Sequence, residues 1–308
     1  MRPLLQKKKP DNLRNKINIH LADLYNDTKK KLDNFNIESS EIDSKVIIKN
    51  ILGLDDKDLI MNTELSLSKN ASEKLSQVIA ERTSGKPISR IFGNKEFFSM
   101  NFDINKFVLD PRPDTEVLVE VALNLIKKYH FKTILDLGIG SGCITAGILK
   151  NSEDTYVLGI DISEKAVRTA KNNLIKNDIT NFDLIVGDWG QSLNKKFDII
   201  VSNPPYIITE NIQNLPKEVK FHDPLLSIDG GSDGLKSYRS IAYQTFDLLA
   251  DNGFLLLEIG YSQYKYVEEI FLNHDFKLMN KVKDYNGLDR VLVFKKKKNK
   301  KNSGNLVS

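Results

Sequence analysis

The sequence predicts an α/β fold: a doubly wound, mostly parallel sheet of the Rossmann-like kind, with a small helical domain on its N-terminal side. Three observations predict it. From residue 133 onward, short apolar runs alternate with helical stretches, the pattern of a βαβ series. The first of those runs ends in a glycine-rich turn at 136–142, with a helix following soon after. From residue 12 to about 84 the apolar residues recur at helical spacing, with no convincing strand.

Taken in order, residues 1–27 read as a basic extension, with Arg2, Lys7, Lys8 and Lys9. Residues 28–95 read as a helical domain, and the helical pattern that supports it starts a little earlier. Its apolar positions are Ile17, Leu21 and Leu24, then Val46, Ile47 and Leu52, then Leu75, Val78 and Ile79. Over 96–110 the period shortens to near alternation, with Phe98, Met100, Phe102 and Ile104 against polar neighbours, which predicts a hairpin linker. Pro111 and Pro113 interrupt the chain, and a helix is expected over 114–129. The domain at 111–294 then carries strands expected at 133–137, 156–160, 183–186, 198–202, 254–259 and 290–294. The last stretch, 295–308, reads as a lysine-rich disordered tail.

With 308 residues and 40% hydrophobic content, the chain is long enough to bury two cores. Cys143 is its single cysteine, which excludes an internal disulfide framework and any multi-cysteine zinc site and suits a reducing compartment. No apolar run reaches the roughly 18 residues of a membrane span, and the N-terminus lacks the apolar stretch of a signal peptide. A cytoplasmic monomer is therefore expected, with no membrane partner. The formal charge of +4 comes from the tail, whose six lysines leave about −2 on the rest. Such a tail could attract RNA through counterion release; it also suits a plain solvated end.

In a doubly wound sheet ligands bind beyond the carboxyl ends of the strands, so the chemistry is sought there. The first strand leads into Gly138, Ile139, Gly140, Ser141 and Gly142, spaced GxGxG. Cys143 stands where a dinucleotide fingerprint would place its last glycine, which favours a cofactor without a pyrophosphate. Asp161 follows the second strand and can accept hydrogen bonds from both hydroxyls of a ribose; as an alternative, it caps the helix beginning near Ser163. After the third strand, Asp188 offers a carboxylate to an exocyclic amine and Trp189 a flat ring to a purine; Trp189 equally suits a core position.

The fourth strand ends in Asn203, Pro204, Pro205 and Tyr206. A planar NH2 group is a poor nucleophile because its lone pair is delocalised, so an enzyme that methylates it must orient it. The Asn203 side-chain oxygen and the Pro204 carbonyl can each accept one of its N–H bonds, and Tyr206 can stack on its face. The prolines hold those acceptors in place before the substrate arrives. His222, the nearest histidine in sequence, reads as structural.

Several segments together resemble the bacterial release-factor glutamine methyltransferases. They are GKPISRIFGNKEFF (85–98), PRPDTEVLVE (111–120), DLGIGSGCI (136–144), GIDIS (159–163), GDW (187–189), SNPPY (202–206), DPLLSIDGGSDGLKSYR (223–239), LLLEIG (255–260) and DYNGLDRV (284–291). The glycine loop and NPPY are shared with enzymes that methylate adenine or guanine; PRPDTE and GGSDGL narrow the family. The resemblance implies a class I methyltransferase domain that transfers methyl from S-adenosylmethionine to the glutamine nitrogen of the Gly-Gly-Gln loop of class I peptide chain release factors. It implies that the N-terminal helices grip that protein, with no nucleic-acid substrate. The alternatives are a glutamine of a ribosomal protein, or a base in nucleic acid; against the latter stands the slightly acidic body.

The sequence departs from the family pattern at Asp110, where an aliphatic residue is expected, at Asp114 for glutamate, and at Ile139, often threonine. Arg112 is a candidate partner for a buried Asp110. Thr115 and Glu116 are expected either near the methionine end of the cofactor or as helix caps.

Overall fold

A computed structural model describes residues 16–60, 64–191 and 193–297. The residues 1–15 of the expected basic extension and the tail from 298 onward lie outside the described residues. The chain divides into two compact units between Phe92 and Gly93.

In the first unit, strand β1 (Lys16–His20) runs into helix α1 (Leu21–Asp33), followed by α2 (Ser40–Leu52), α3 (Asp56–Ile60), β2 (Glu64–Ser68), α4 (Lys69–Thr83) and α5 (Ile88–Phe92). Leu21, Leu24, Leu32, Ile47, Ile48, Leu75, Val78 and Ile79 meet in its core. A buried ion pair, Arg82 Nε to Asp43 Oδ2 at 2.6 Å, ties α4 to α2. Two expectations change here. The boundary expected between 27 and 28 falls inside α1, because Leu21 and Leu24 belong to the same apolar face as Leu32. Two strands are also present where only helices were expected: β1 pairs antiparallel with β2 from Lys16↔Ser68 to His20↔Glu64. Their alternation is visible in KINIH and ELSLS, but five residues are too short to stand out from the helical pattern around them.

The second unit opens with the hairpin β3 (Asn94–Phe97) and β4 (Met100–Asp103), followed by α6 (Glu116–Tyr129). The main sheet is built from β5 (Thr133–Leu137), β6 (Tyr156–Asp161), β7 (Phe182–Val186), β8 (Phe197–Ser202), β9 (Leu249–Glu258), β10 (Phe276–Lys283) and β11 (Asp289–Lys296). Between them lie α7 (Cys143–Lys150), α8 (Glu164–Lys176), α9 (Lys217–His222), α10 (Leu225–Ile228), α11 (Lys236–Thr245) and α12 (Tyr264–Leu272). The strand order is β10-β11-β9-β8-β5-β6-β7, parallel from β9 to β7 and antiparallel at β10 and β11. The expected doubly wound sheet is therefore observed.

Alternate residues face opposite sides of the sheet. Ile134, Val157, Ile199, Val201 and Leu256 pack under the hairpin, α6 and α7 on one face. Leu135, Leu158, Ile160, Ile200 and Leu257 pack on the other face with Tyr238 and Ile241 of α11 and Val267 and Phe271 of α12. Each such side chain contributes about 1.5–3 kcal/mol by leaving water. The sheet winds outward in both directions from β5, whose neighbours are β6 and β8, which makes that end the topological switch point.

Two more differences concern lysine-rich segments. Strand β10 was not expected, because three lysines and an asparagine make up half of FKLMNKVK; it is an edge strand with Lys281 and Lys283 exposed. Lys295 and Lys296 belong to β11 rather than to a tail, paired with Lys277 and Phe276, and the Lys295 ammonium sits 4.0 Å over the Phe254 ring. Lys297 continues that order, its N–H donating to the Asp275 carbonyl at 2.7 Å.

Candidate active site

The carboxyl ends of β5, β6, β7 and β8 surround a cleft of about 550 Å³ within the second unit. Gly138, Ile139, Gly140, Ser141, Asp161, Asp188, Trp189, Asn203 and Pro205 all line it. The sheet register brings them together, since Leu137 pairs with both Ile160 and Ser202, which sets the loops after β5, β6 and β8 level.

The glycine loop is held from below by backbone bonds: the N–H groups of Gly138 and Ile139 both donate to the Ile160 carbonyl, at 2.8 and 2.9 Å. Gly138 and Gly140 have φ of +77° and +53°, a region that favours glycine. The Ile139 side chain turns down into the space above Gly159, where an added Cβ would lie 2.2 Å from its Cδ1. Its N–H is therefore engaged inside the loop and is not offered to a ligand. Gly142 does not line the cleft. It stands before α7 with φ +83°, and a Cβ there would come within 3.3 Å of Ala170, so it packs closely against α8.

Asp161 spans the loop and the next helix. Its Oδ2 accepts the Gly140 N–H and its Oδ1 the Ser163 N–H, each at 2.9 Å. The cap of α8 is Ser163, whose hydroxyl accepts the Ala166 N–H at 3.2 Å, so Asp161 is not that cap. Burial holds the Asp161 carboxyl above the usual aspartate range, against the lowering by its two backbone bonds. Each oxygen keeps a further lone pair beside the cleft. Trp189 is half-buried, its ring 3.8 Å from the position of a Cβ on Gly138; it lines the cleft and also packs on the core. Asp188 is exposed.

Beneath the loop lies Asp136, fully buried, which accepts the Thr145 hydroxyl at 2.7 Å. Burial pushes its carboxyl up to about 7. Sequence reading passed over it, since at the end of a strand it resembles an ordinary cap. Cys143, also buried, has its thiol pushed up to about 12 by burial.

At the end of β8, Ser202 donates to the Leu137 carbonyl at 2.7 Å, and Asn203 Nδ2 donates to Thr115 Oγ1 at 3.1 Å. Pro204 is buried and Tyr206 half-buried, and neither is among the residues that line the cleft. Burial pushes the Tyr206 phenol up to about 12. The loop is clamped from outside by the GGSDGL segment and by a residue that sequence reading missed, Gln263. Gln263 Nε2 donates to the carbonyls of Tyr206 at 2.9 Å and Gly234 at 3.2 Å. A Cβ on Gly230 would lie 2.8 Å from the Tyr206 Cα, and one on Gly234 2.6 Å from the Tyr206 oxygen. Only glycines allow the two chains to run so close.

The segments around PRPDTE meet the same cluster. Thr115 lines the cleft and donates no helix cap. Glu116 lies away from the cleft and accepts the Phe98 N–H at 2.9 Å, fastening the hairpin to α6. Asp114 pairs with Arg290 at 3.1 Å, and Arg290 pairs with Asp284 at 3.0 Å and donates to the Ile259 carbonyl. Asp110 is buried on the cleft wall; its expected partner Arg112 is instead joined to Asp223 at 2.5 Å. Among the described residues no group of His, Cys, Asp and Glu could hold a metal ion, and no helix is long and apolar enough to cross a membrane.

Residues 113–218 match the methyltransferase small domain family, and residues 23–93 match the PrmC N-terminal domain. The chain is 38% identical to the release factor glutamine methyltransferase of Agrobacterium fabrum, over 87% of this chain and 94% of that one. It is 36% identical to the protein of the same name from Caulobacter vibrioides, over 86% and 92%. Among solved structures, the hMettl16 catalytic domain, crystallised with an RNA hairpin, superimposes with a TM-score of 0.54 at 16% identity, over 71% of this chain and 81% of that one; this likeness concerns the fold.

Proposed function

We propose, from the fact that this chain belongs to the release factor glutamine methyltransferase family, that it methylates the side-chain amide nitrogen (N5) of the glutamine in the Gly-Gly-Gln loop of class I peptide chain release factors. The observation that carries the reading is the sharing of one cleft by the glycine loop and Asn203, across adjacent strands β5 and β8.

The residues present suit S-adenosylmethionine. The glycines at 138 and 140 leave room for close approach, the Asp161 carboxylate would accept from a diol, and Asp188 and Trp189 would meet an adenine. When bound, S-adenosylmethionine supplies an electrophilic methyl group. The protein then orients the substrate: Asn203 Oδ1 accepts one N–H bond in the cleft and Pro205 stiffens the turn, while the Pro204 carbonyl and Tyr206, which do not line the cleft, are the proposed second acceptor and flat support. The amide nitrogen held there would accept the methyl as the sulfonium sulfur kept the bonding pair, and would then release a proton to solvent. No general base is needed before attack, so a loop without histidine is adequate. The N-terminal unit holds the release factor, and the reaction takes place in the cytoplasm.

The test is mass spectrometry of a release factor after incubation with the protein and S-adenosylmethionine. One methyl group on the Gly-Gly-Gln glutamine is expected. An unmodified glutamine, with methyl found on a ribosomal protein or a nucleic-acid base instead, refutes the reading.

A further inference from the structure

Glu258 closes β9 immediately beside the candidate active site. Strands β8 and β9 are parallel neighbours with Ser202 opposite Leu257, so Asn203 and Glu258 leave the sheet side by side. Glu258 is buried, and the Tyr238 hydroxyl donates to its carbonyl oxygen at 2.9 Å. Thr115 and Asn203, themselves joined at 3.1 Å, are the polar side chains that act on its carboxyl, while Oε2 is buried without a hydrogen-bond partner among the described residues. Nothing in the mechanism above uses this group, and a buried carboxyl is costly to keep unless it does something.

The hydrogen-bond arithmetic is restrictive. An ionised carboxylate only accepts, and a threonine hydroxyl has a single proton to give. If Thr115 gives that proton to Glu258, its oxygen can only accept from Asn203, as Nδ2 does at 3.1 Å. The amide nitrogen is thereby turned inward and its oxygen toward the cleft that Asn203 and Thr115 both line. The reversed amide would present NH2 to a substrate NH2, donor against donor. We propose that Glu258 is a positioning residue for methyl transfer, whose carboxylate acts directly and through Thr115 to hold the Asn203 amide with its oxygen facing the substrate. This rests on the function proposed above.

Of the groups that feel one another's charge around Asn203, Glu258 is the one brought near neutrality. Burial pushes its carboxyl up to about 7, with the bond from Thr115, the charge of Arg290 and the bond from Asn203 lowering it and Asp114 raising it. Of the other groups that feel its charge, Tyr206 and Cys143 are pushed up to about 12 by burial, and Tyr238 lies well above its ordinary value. The ionised form is the positioning form, so turnover rises with pH through about 7. Asp136 also sits at about 7, and because it is unchanged in a Glu258 variant, comparison with that variant removes its contribution.

The experiment is Glu258→Gln in the full chain. Turnover on a release factor should fall on the order of 100-fold, the scale of a misoriented reacting group. Affinity for S-adenosylmethionine should stay within about twofold, because the ligand-binding loops are untouched. The rise of kcat near pH 7 should disappear. Wild-type turnover and pH profile in Glu258→Gln overturn the proposal. If that variant does not fold, Thr115→Val decides together with the signal below, since it removes the relay and leaves the carboxyl: a drop in kcat supports positioning, and an unchanged kcat with an Asn203 NH2 signal insensitive to pH overturns it. A second readout needs no substrate. The Asn203 side-chain NH2 signal in the NMR spectrum, identified by its loss in Asn203→Ala, should titrate near pH 7 in the wild type and not in Glu258→Gln. A signal insensitive to pH in both overturns the proposal. Failure of the wild type to methylate a release factor, with that titration present, refutes the substrate assignment alone.

Discussion

Replacing Asp161 by asparagine probes the cofactor side of the cleft without changing its shape. In the wild type each carboxylate oxygen accepts one backbone N–H at 2.9 Å, from Gly140 and from Ser163, and has a lone pair left for a ribose hydroxyl. Asparagine has only one acceptor oxygen, so one of the two backbone donors meets an amide NH2. Losing that bond in a half-buried turn costs the loop about 1–3 kcal/mol. A charge-assisted bond to one ribose hydroxyl is lost as well, at about 1.5–3 kcal/mol, which weakens S-adenosylmethionine binding roughly 10- to 150-fold. Isothermal titration calorimetry reads the dissociation constant, and thermal denaturation reads the loop. Burial raises the Asp161 carboxyl, so wild-type affinity should fall with decreasing pH earlier than an exposed aspartate would cause, whereas the asparagine variant should not show that titration. A dissociation constant within about twofold of wild type refutes the ribose role and leaves Asp161 as a tie between the loop and α8.

Three further outcomes are expected. Asn203→Ala should lower kcat about 100- to 1,000-fold, the range seen when a preorganised transition-state contact is removed, with little change in cofactor affinity; an unchanged kcat at saturating release factor would show that the amide is held elsewhere. Gly159→Ala places a Cβ 2.2 Å from Ile139 Cδ1 and 2.8 Å from Leu184 Cδ2, an overpacking of about 1–3 kcal/mol that urea denaturation measures. No loss there would mean that both side chains swing clear without disturbing the loop. The carboxyls of Glu258 and Asp136 are raised by burial to about 7, above their ordinary values of 4.5 and 3.8, so the folded state holds protons that the unfolded state has released. Stability should therefore fall as pH rises from about 4 to about 7, by on the order of 3 kcal/mol for each group; a melting temperature that climbs across pH 5 to 8 contradicts this.

Much of the fold was legible because its signals are local. The six expected strands lie within the observed sheet, and the pattern failed where local composition misleads. Strand β10 is an edge whose lysines mask its alternation, β1 and β2 are five residues each, and Lys295 and Lys296 pair in β11 despite standing in a charge run. Within the candidate site, the glycine loop, Asp161, Trp189 and Asn203 follow strand ends, so a βαβ reading alone brings them to one side of the sheet.

What the sequence by itself determined is the class of fold and the loops on which chemistry can occur, since periodicity and motif spacing are properties of neighbouring residues. What only the tertiary structure decided is who touches whom. Thr115 and Asn203 are 88 positions apart, yet they share a hydrogen bond. Gly142 packs closely against Ala170, Arg112 joins Asp223 rather than Asp110, and Arg290 gathers Asp114 and Asp284. The physical reason is that a buried polar group must find a partner wherever the packed sheet and loops place one, and that placement depends on the whole chain.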